Sequence, residues 1–235
     1  MKLKNIIIGI TDCSKYSHYK NWMQNEPGVE IIKLSYHDKN LNDIQKCNGI
    51  IFSGGHDVHP RLYNKPEYLE FCDTKNIDEK RDEFEWRVLE HTQQNQMPVL
   101  GICRGLQFTN IFFGGSLIPD NISFGQPNHS KIEEVSDRYH DVKVKAGTIL
   151  KKIVGDETGE INSAHHQSAD NIGNGLAINA TSSDGIIEGL EWELHEQKPF
   201  LLLVQWHPER MSNQKSIFSK NIKHGFLNAV RNGIQ

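Results

Sequence analysis

Pro98-Val99-Leu100-Gly101-Ile102-Cys103-Arg104-Gly105 is the stretch that decides how this chain is read. An apolar run ends in a cysteine with a glycine two residues to either side, and a helical pattern follows over residues 106–113. That is the signature of a strand turning sharply into a helix. The turn is tight, and a Cβ at either flanking position would crowd the neighbouring backbone. The cysteine is left at the apex, at the start of the helix, where the positive end of the macrodipole favours a negatively charged sulfur. A pattern this short also surrounds buried structural cysteines, so chemistry has to be argued from partners elsewhere in the chain.

Working outward, strands and helices alternate. Residues 4–10, 30–34, 47–52 and 98–102 read as strands, and 16–25, 41–46 and 77–95 as helices. In the longest of these helices Phe84, Val88 and His91 are spaced to share a face. After the cysteine the character changes: 139–144 and 176–192 alternate as antiparallel strands do, with a turn at Ser183-Asp184-Gly185, and 216–230 closes the pattern as an amphipathic helix. Buried runs alternating with helices predict an α/β fold, a doubly wound and mostly parallel sheet flanked by helices, with a small antiparallel portion in the C-terminal half. No Pro/Gly/Ser-rich linker divides the 235 residues, which suit one domain, 1–235. Ligands on such sheets bind beyond the carboxyl ends of the strands.

Two other strand ends supply partners for Cys103. Pro199 to Trp206 is an apolar run that ends in His207-Pro208-Glu209. Side chains two apart in extended backbone share a face, so His207 and Glu209 line up. A cysteine nucleophile needs a base, and the base needs an acceptor on its other ring nitrogen. Cys103, His207 and Glu209 are therefore the expected catalytic residues. Ile50-Ile51-Phe52 leads into Ser53-Gly54-Gly55-His56-Asp57. Glycine there lets backbone N–H groups approach an oxyanion, and the expected donors are Gly55 and Arg104, the residue after the nucleophile.

The motifs together resemble the class I glutamine amidotransferase-like family, in the branch that includes gamma-glutamyl-gamma-aminobutyrate hydrolase. They are Ser53-Gly54-Gly55-His56-Asp57-Val58-His59-Pro60, Arg81-Asp82, the strand-turn-helix elbow Pro98-Val99-Leu100-Gly101-Ile102-Cys103-Arg104-Gly105-Leu106-Gln107, Gly114-Gly115-Ser116-Leu117, Asn162-Ser163-Ala164-His165-His166-Gln167 and Val204-Gln205-Trp206-His207-Pro208-Glu209. They span most of the chain in the family's order. The resemblance implies a flavodoxin-like fold, a Cys-His-Glu triad and a gamma-glutamyl thioester intermediate hydrolysed to glutamate. It also implies that Gly54, Gln107, Ser163, His165 and His166 hold a small gamma-glutamyl substrate, that no cofactor is needed, and that the protein is plausible as a homodimer. Glu188 falls where the branch carries an acidic residue; a solvated strand carboxylate is the expectation. His165-His166 also suggests zinc, but adjacent side chains diverge and no third ligand is suitably spaced, so no metal is expected. The amine leaving group stays open. So does the alternative of a glutaminase subunit delivering ammonia to a separate synthase. Segments 60–78 and 121–138 look like insertions that wall a pocket for a larger amine, which favours the stand-alone hydrolase.

Composition excludes other classes. The net charge of −4 and the absence of a Lys/Arg stripe argue against nucleic acid or an acidic membrane surface as partner. Met1-Lys2-Leu3-Lys4 before Ile6-Ile7-Ile8 resembles the start of a signal peptide, but the apolar part is short and Asp12 follows, so a first buried strand is expected. Cys13, Cys47, Cys72 and Cys103 have neither zinc-site nor disulfide spacing, and a catalytic thiol suits a reducing cytoplasm.

Overall fold

A computed structural model describes residues 4–133 and 135–233, leaving Met1-Lys2-Leu3, residue 134 and Ile234-Gln235 outside the description. One nine-stranded mixed sheet organises the chain, in the order β2-β1-β3-β4-β11-β10-β9-β6-β7. Its parallel half contains β1 (Ile6–Thr11), β2 (Val29–Leu34), β3 (Gly49–Phe52), β4 (Val99–Ile102) and β11 (Leu201–Val204). The antiparallel half continues the same sheet through β10 (Ile187–Trp192), β9 (Leu176–Ser182), β6 (Arg138–Val144) and β7 (Thr158–Ser163). A separate two-stranded antiparallel sheet pairs β5 (Leu117–Ile118) with β8 (Ser168–Ala169).

The central strands are apolar on both faces because both are covered. Ile51, Leu100, Ile102, Leu202 and Val204 point to one layer, with Tyr19, Trp22 and Met23 of α1 (Tyr16–Gln24) and Ile222, Phe226 and Val230 of α5 (Ile222–Gly233). Their alternate neighbours Ile50, Phe52, Val99, Leu201 and Leu203 point to the other, with Val88 and Leu89 of α2 (Glu79–Gln94) and Leu106, Phe108 and Ile111 of α3 (Arg104–Phe112). That two-sided burial is why these strands read as continuous hydrophobic runs. Trp22 and Trp192 are buried, and Trp86 is packed against the second layer, as expected of core residues.

Several boundaries differ from the sequence pattern for local reasons. Residues 41–46 form a 3-10 turn, so β3 starts only at Gly49. Asp78 accepts the Arg81 N–H and caps α2, which therefore begins at Glu79. Its buried stripe includes Glu85, Val88, Leu89 and Thr92 rather than His91, because Asp82 and Glu85 turn inward to bind Arg104. The closing helix opens with one π-helical turn, Ile217–Asn221. The sequence pattern passed over α4 (Ile149–Val154), a short helix capped by the Thr148 hydroxyl and ended by Gly155 at positive φ. The turn at Ser183-Asp184-Gly185 lies between β9 and β10, as expected. Among the described residues no helix is long and apolar enough to cross a membrane.

Candidate active site

Cys103 sits between β4 and α3 with φ 54° and ψ −106°, a conformation that L side chains rarely adopt. Its N–H donates to Val204 O at 2.8 Å, which ties the apex to the end of the neighbouring strand β11. The flanking glycines are required sterically. A Cβ on Gly101 would lie 2.6 Å from the Leu203 side chain and 2.9 Å from the Gly105 backbone, and one on Gly105 would overlap the Phe52 carbonyl oxygen. The helix therefore starts directly after the cysteine at Arg104, whose N–H belongs to the unsatisfied donors of a helix N-terminus.

β11 runs parallel to β4 in the register Val204 to Ile102, so the residues beyond both strands emerge side by side. His207 follows β11, and its Nδ1 lies 2.9 Å from Glu209 Oε1. Pro208 opens a 3-10 turn that bends Glu209 back onto the imidazole, and Asn162 Oδ1 accepts the His207 N–H at 3.1 Å. Cys103 is within hydrogen-bonding reach of the His207 ring. Burial would depress the His207 pKa, but the Glu209 carboxylate and Cys103 outweigh it and push the value up to about 9. Cys103, His207 and Glu209 are thus brought together.

The end of β3 forms the facing wall. Gly54 donates its N–H to Tyr19 Oη at 2.8 Å. A Cβ at Gly54 would lie 2.8 Å from that hydroxyl, 2.9 Å from His207 Cε1 and 3.5 Å from Cys103 Cβ, so only glycine lets the strand end come this close. Gly55 follows with φ +152°, and a Cβ there would overlap the Arg81 guanidinium. Arg81 donates to Ser53 O, Ser53 Oγ and Gly54 O at 3.0–3.2 Å and to Glu85 at 2.9 Å, clamping the loop from below. The Arg104 side chain is turned away from the sulfur: it is 2 % exposed and paired with both Asp82 and Glu85, with its guanidinium over the Phe108 ring.

A cavity of about 400 Å³ opens over the sulfur, with Cys103, His207, Gly54, Gly55, His166 and Lys131 in its lining. Asp73 and Ser130 also line it, so both segments read as insertions, 60–78 and 121–138, contribute to its walls. His166 stands between Asp57, 2.8 Å away, and Asp120, 3.3 Å away. His56 is in the lining too, whereas His59 caps the 3-10 turn that begins at Pro60.

Three residues expected at the substrate lie elsewhere. Gln107 is buried and donates its amide to Gln167 O and Gln205 Oε1 at 3.1 and 3.3 Å, bracing the 163–168 loop from beneath. Ser163 is fully buried and donates to His129 O at 2.7 Å. His165 turns away from the cavity, because successive side chains of the loop alternate and His166 takes the open side. Glu188 is not a solvated carboxylate either. It is 0 % exposed, with the His129, His140 and His165 rings 3.1–3.7 Å from its Oε1. Tyr19, Arg81, Asn162 and the Asp82–Glu85 pair were not assigned roles from the sequence. The one signal present was two carboxylates, Asp82 and Glu85, at the spacing of one helix face near a conspicuous Arg81.

The peptidase C26 family profile matches residues 7–209. The chain belongs to that family, within the glutamine amidotransferase-like group. A Schizosaccharomyces pombe protein provisionally named a glutamine amidotransferase is 36% identical over 169 residues, 72% of this chain; the match covers only 64% of that longer protein. The gamma-glutamyl-gamma-aminobutyrate hydrolase of Escherichia coli K12 is 29% identical over 199 residues, covering 81% of this peptidase C26 chain and 75% of the hydrolase. A solved Thermoplasma acidophilum structure, provisionally described as part of a GMP synthase, superposes with a TM-score of 0.69 at 15% identity, covering 99% of this chain and 96% of the other. At that identity the likeness establishes the fold alone.

Proposed function

We propose that this chain, as a single domain over 1–235, is a cysteine-dependent hydrolase that cleaves gamma-glutamyl amides. The observation that carries the proposal is Cys103 held at positive φ beside an imidazole that Glu209 orients. In the reaction the Cys103 sulfur attacks the gamma-carbonyl carbon and forms the C–S bond. The carbonyl oxygen takes up the negative charge, facing the N–H groups of Gly55 and Arg104. His207, carrying the proton taken from the thiol, passes it to the departing nitrogen as the C–N bond breaks and the amine leaves. Water then attacks the thioester with His207 as base, releasing glutamate and regenerating the thiol. Glu209 fixes the ring and stabilises the imidazolium during both steps.

The residues of the cavity favour a substrate with carboxylates and an extended amine portion. Lys15 and Lys131 line it along with His166, offering cationic groups to the glutamyl alpha-carboxylate. A second hollow of about 320 Å³ shares Cys13, Ser14, His56 and Asp57 with the first, giving the amine side somewhere to extend. That extra room is why a stand-alone hydrolase is preferred over an ammonia-delivering glutaminase. Glutamate release from a panel of gamma-glutamyl amines and free glutamine tests the reading. Faster release from the amines, absent in Cys103→Ser, is expected. Release from glutamine alone would overturn it in favour of the glutaminase.

A further inference from the structure

Behind the cavity wall, three histidines and a glutamate from separate parts of the chain face one point. His129 precedes β6, His140 lies within it, His165 follows β7 and Glu188 belongs to β10; one ligating atom from each lies within 4.8 Å of all the others. Glu188 Oε1 is 3.1 Å from His129 Nδ1, 3.4 Å from His140 Nε2 and 3.7 Å from His165 Nε2. Zn–N and Zn–O bonds of about 2.0–2.2 Å place tetrahedral ligand atoms roughly 3.4 Å apart, the spacing seen from Glu188.

The hydrogen bonding around the cluster points the same way. His129, His165 and Glu188 are each at most 4 % exposed. Yet among the described residues His129 Nδ1, His140 Nε2, His165 Nε2 and both Glu188 oxygens have no hydrogen-bond partner of adequate geometry. The opposite nitrogen of every ring meets an acceptor: His129 Nε2 the Asp184 carboxylate at 3.1 Å, His165 Nδ1 the Gln167 carbonyl at 2.9 Å, and His140 Nδ1 the Asp141 carbonyl at 3.2 Å. Carbonyl and carboxylate oxygens only accept, so in neutral rings the outer nitrogens carry the protons and the inner ones present lone pairs. Three lone pairs and a carboxylate converging in a buried space repel one another unless a cation lies between them. Imidazoles braced from behind by carboxylate and carbonyl groups are the arrangement that metal sites use to aim their ligands. An imidazolium paired to Glu188 would instead align an N–H on the carboxylate, and the 3.1 Å approach from His129 Nδ1 lacks that alignment.

We propose that His129, His140, His165 and Glu188 form a structural Zn²⁺ site. Three imidazoles and one carboxylate suit zinc better than the oxygen-seeking Mg²⁺ or Ca²⁺, and four protein ligands leave no open position for catalysis. The cation joins the segment before β6 to the β7–β8 loop and to β10. Ser130 and Lys131 follow His129, and Ala164 and His166 flank His165; all four line the cavity. The metal therefore fixes the cavity wall from behind. In the sequence His165 has only the diverging His166 beside it, and the other three ligands come from distant segments, which is why spacing alone led to the expectation of no metal.

Zn²⁺ is also attracted to a thiol beside an imidazole, so the test uses Cys103→Ser, which removes that competing ligand and makes the result independent of the proposed hydrolase activity. After exposure to Zn²⁺ and exhaustive dialysis, one equivalent per chain is expected by elemental analysis, and Co²⁺ in its place should give the intense visible bands of a tetrahedral centre. Adding His140→Gln, at the rim of the cluster, should reduce retained Zn²⁺ at least tenfold with an unchanged circular dichroism spectrum. Glu188→Gln should do the same. Absence of retained Zn²⁺ in Cys103→Ser, a six-coordinate Co²⁺ spectrum, or full retention in both double variants would overturn the proposal. If both double variants fail to fold, the stoichiometry and Co²⁺ spectrum of Cys103→Ser decide it.

Discussion

Tyr19 Oη accepts the Gly54 N–H at 2.8 Å on the face of Gly54 that Cys103 and His207 also approach. A helix near the start of the chain thus sets the position of the loop opposite the sulfur. Burial, together with Glu209 and the nearby cysteines, pushes the Tyr19 phenol well above its usual pKa, so it remains a neutral hydroxyl. Tyr19→Phe strands a buried donor, which costs about 1–3 kcal/mol. Urea unfolding should show a loss in that range, with kcat falling more than KM changes because the loop, not the substrate, is what moves.

The strain at Cys103 gives a comparison between two variants that lack the sulfur. Glycine tolerates φ 54° without the penalty that a Cβ incurs, whereas alanine retains it. Cys103→Gly should therefore melt above Cys103→Ala, by a stability difference of about 1 kcal/mol. Equal or reversed melting temperatures would show that the apex is relaxed.

Arg104 neutralises two buried carboxylates, Asp82 and Glu85. Burial opposes ionisation of Glu85, but Arg104 and Arg81 outweigh it and hold its pKa below the ordinary carboxylate value. Arg104→Met leaves both acids without their shared partner, which costs about 3–5 kcal/mol. Arg104→Lys recovers only part of this, since an ammonium cannot reach both carboxylates in the forked geometry. Denaturant midpoints of the two variants check the order.

His207 sets an alkaline limit. Its pKa is raised from an ordinary 6.5 to about 9 in the folded protein, so the stability it contributes is fully present below about pH 6.5 and disappears as pH rises through 9. Activity that requires the imidazolium to protonate the departing amine should fall over the same upper range, with an apparent value belonging to the coupled Cys103–His207 pair. Glu209→Gln removes the leading interaction that raises the pKa, and its kcat/KM profile should turn down at lower pH.

Gly105 tests the elbow without touching the chemistry. A Cβ there overlaps the Phe52 carbonyl oxygen, which is backbone and cannot rotate away. Gly105→Ala should abolish soluble folded protein or lower the melting temperature sharply. Gly147→Ala, at φ +79° with open space around the added Cβ, should cost only about 1 kcal/mol of backbone strain.

The fold was largely legible because each central strand is buried on both faces and bounded by turn residues. Cys103 and His207 were legible for a related reason: each directly follows an apolar run, and the runs prove to be adjacent parallel strands. Gln107, Ser163 and His165, expected at the substrate from the resemblance, have side chains bonded into the scaffold beneath the cavity. Periodicity indicates that a side chain points inward, but not whether it meets a cavity or the scaffold beneath one. His140 and Glu188 carried an unused signal of this kind. His140 shares strand parity with the buried Val142 and Val144, and Glu188 stands in an unbroken buried stretch of β10. Polar groups on an apolar face need partners, and these two converge. Tyr19 left no such mark, since an aromatic on the buried face of a helix looks like ordinary core.

Because the sulfur and the imidazole are held by hydrogen-bonded neighbours β4 and β11, their separation is inherited from strand register rather than from any connecting segment. Loss of one residue within Leu201–Val204 would point His207 the opposite way, so length changes there are forbidden. The segments around the rim are under no such constraint. Descendants of this chain are therefore free to exchange those segments and reshape the mouth of the cavity while Cys103 and His207 stay untouched.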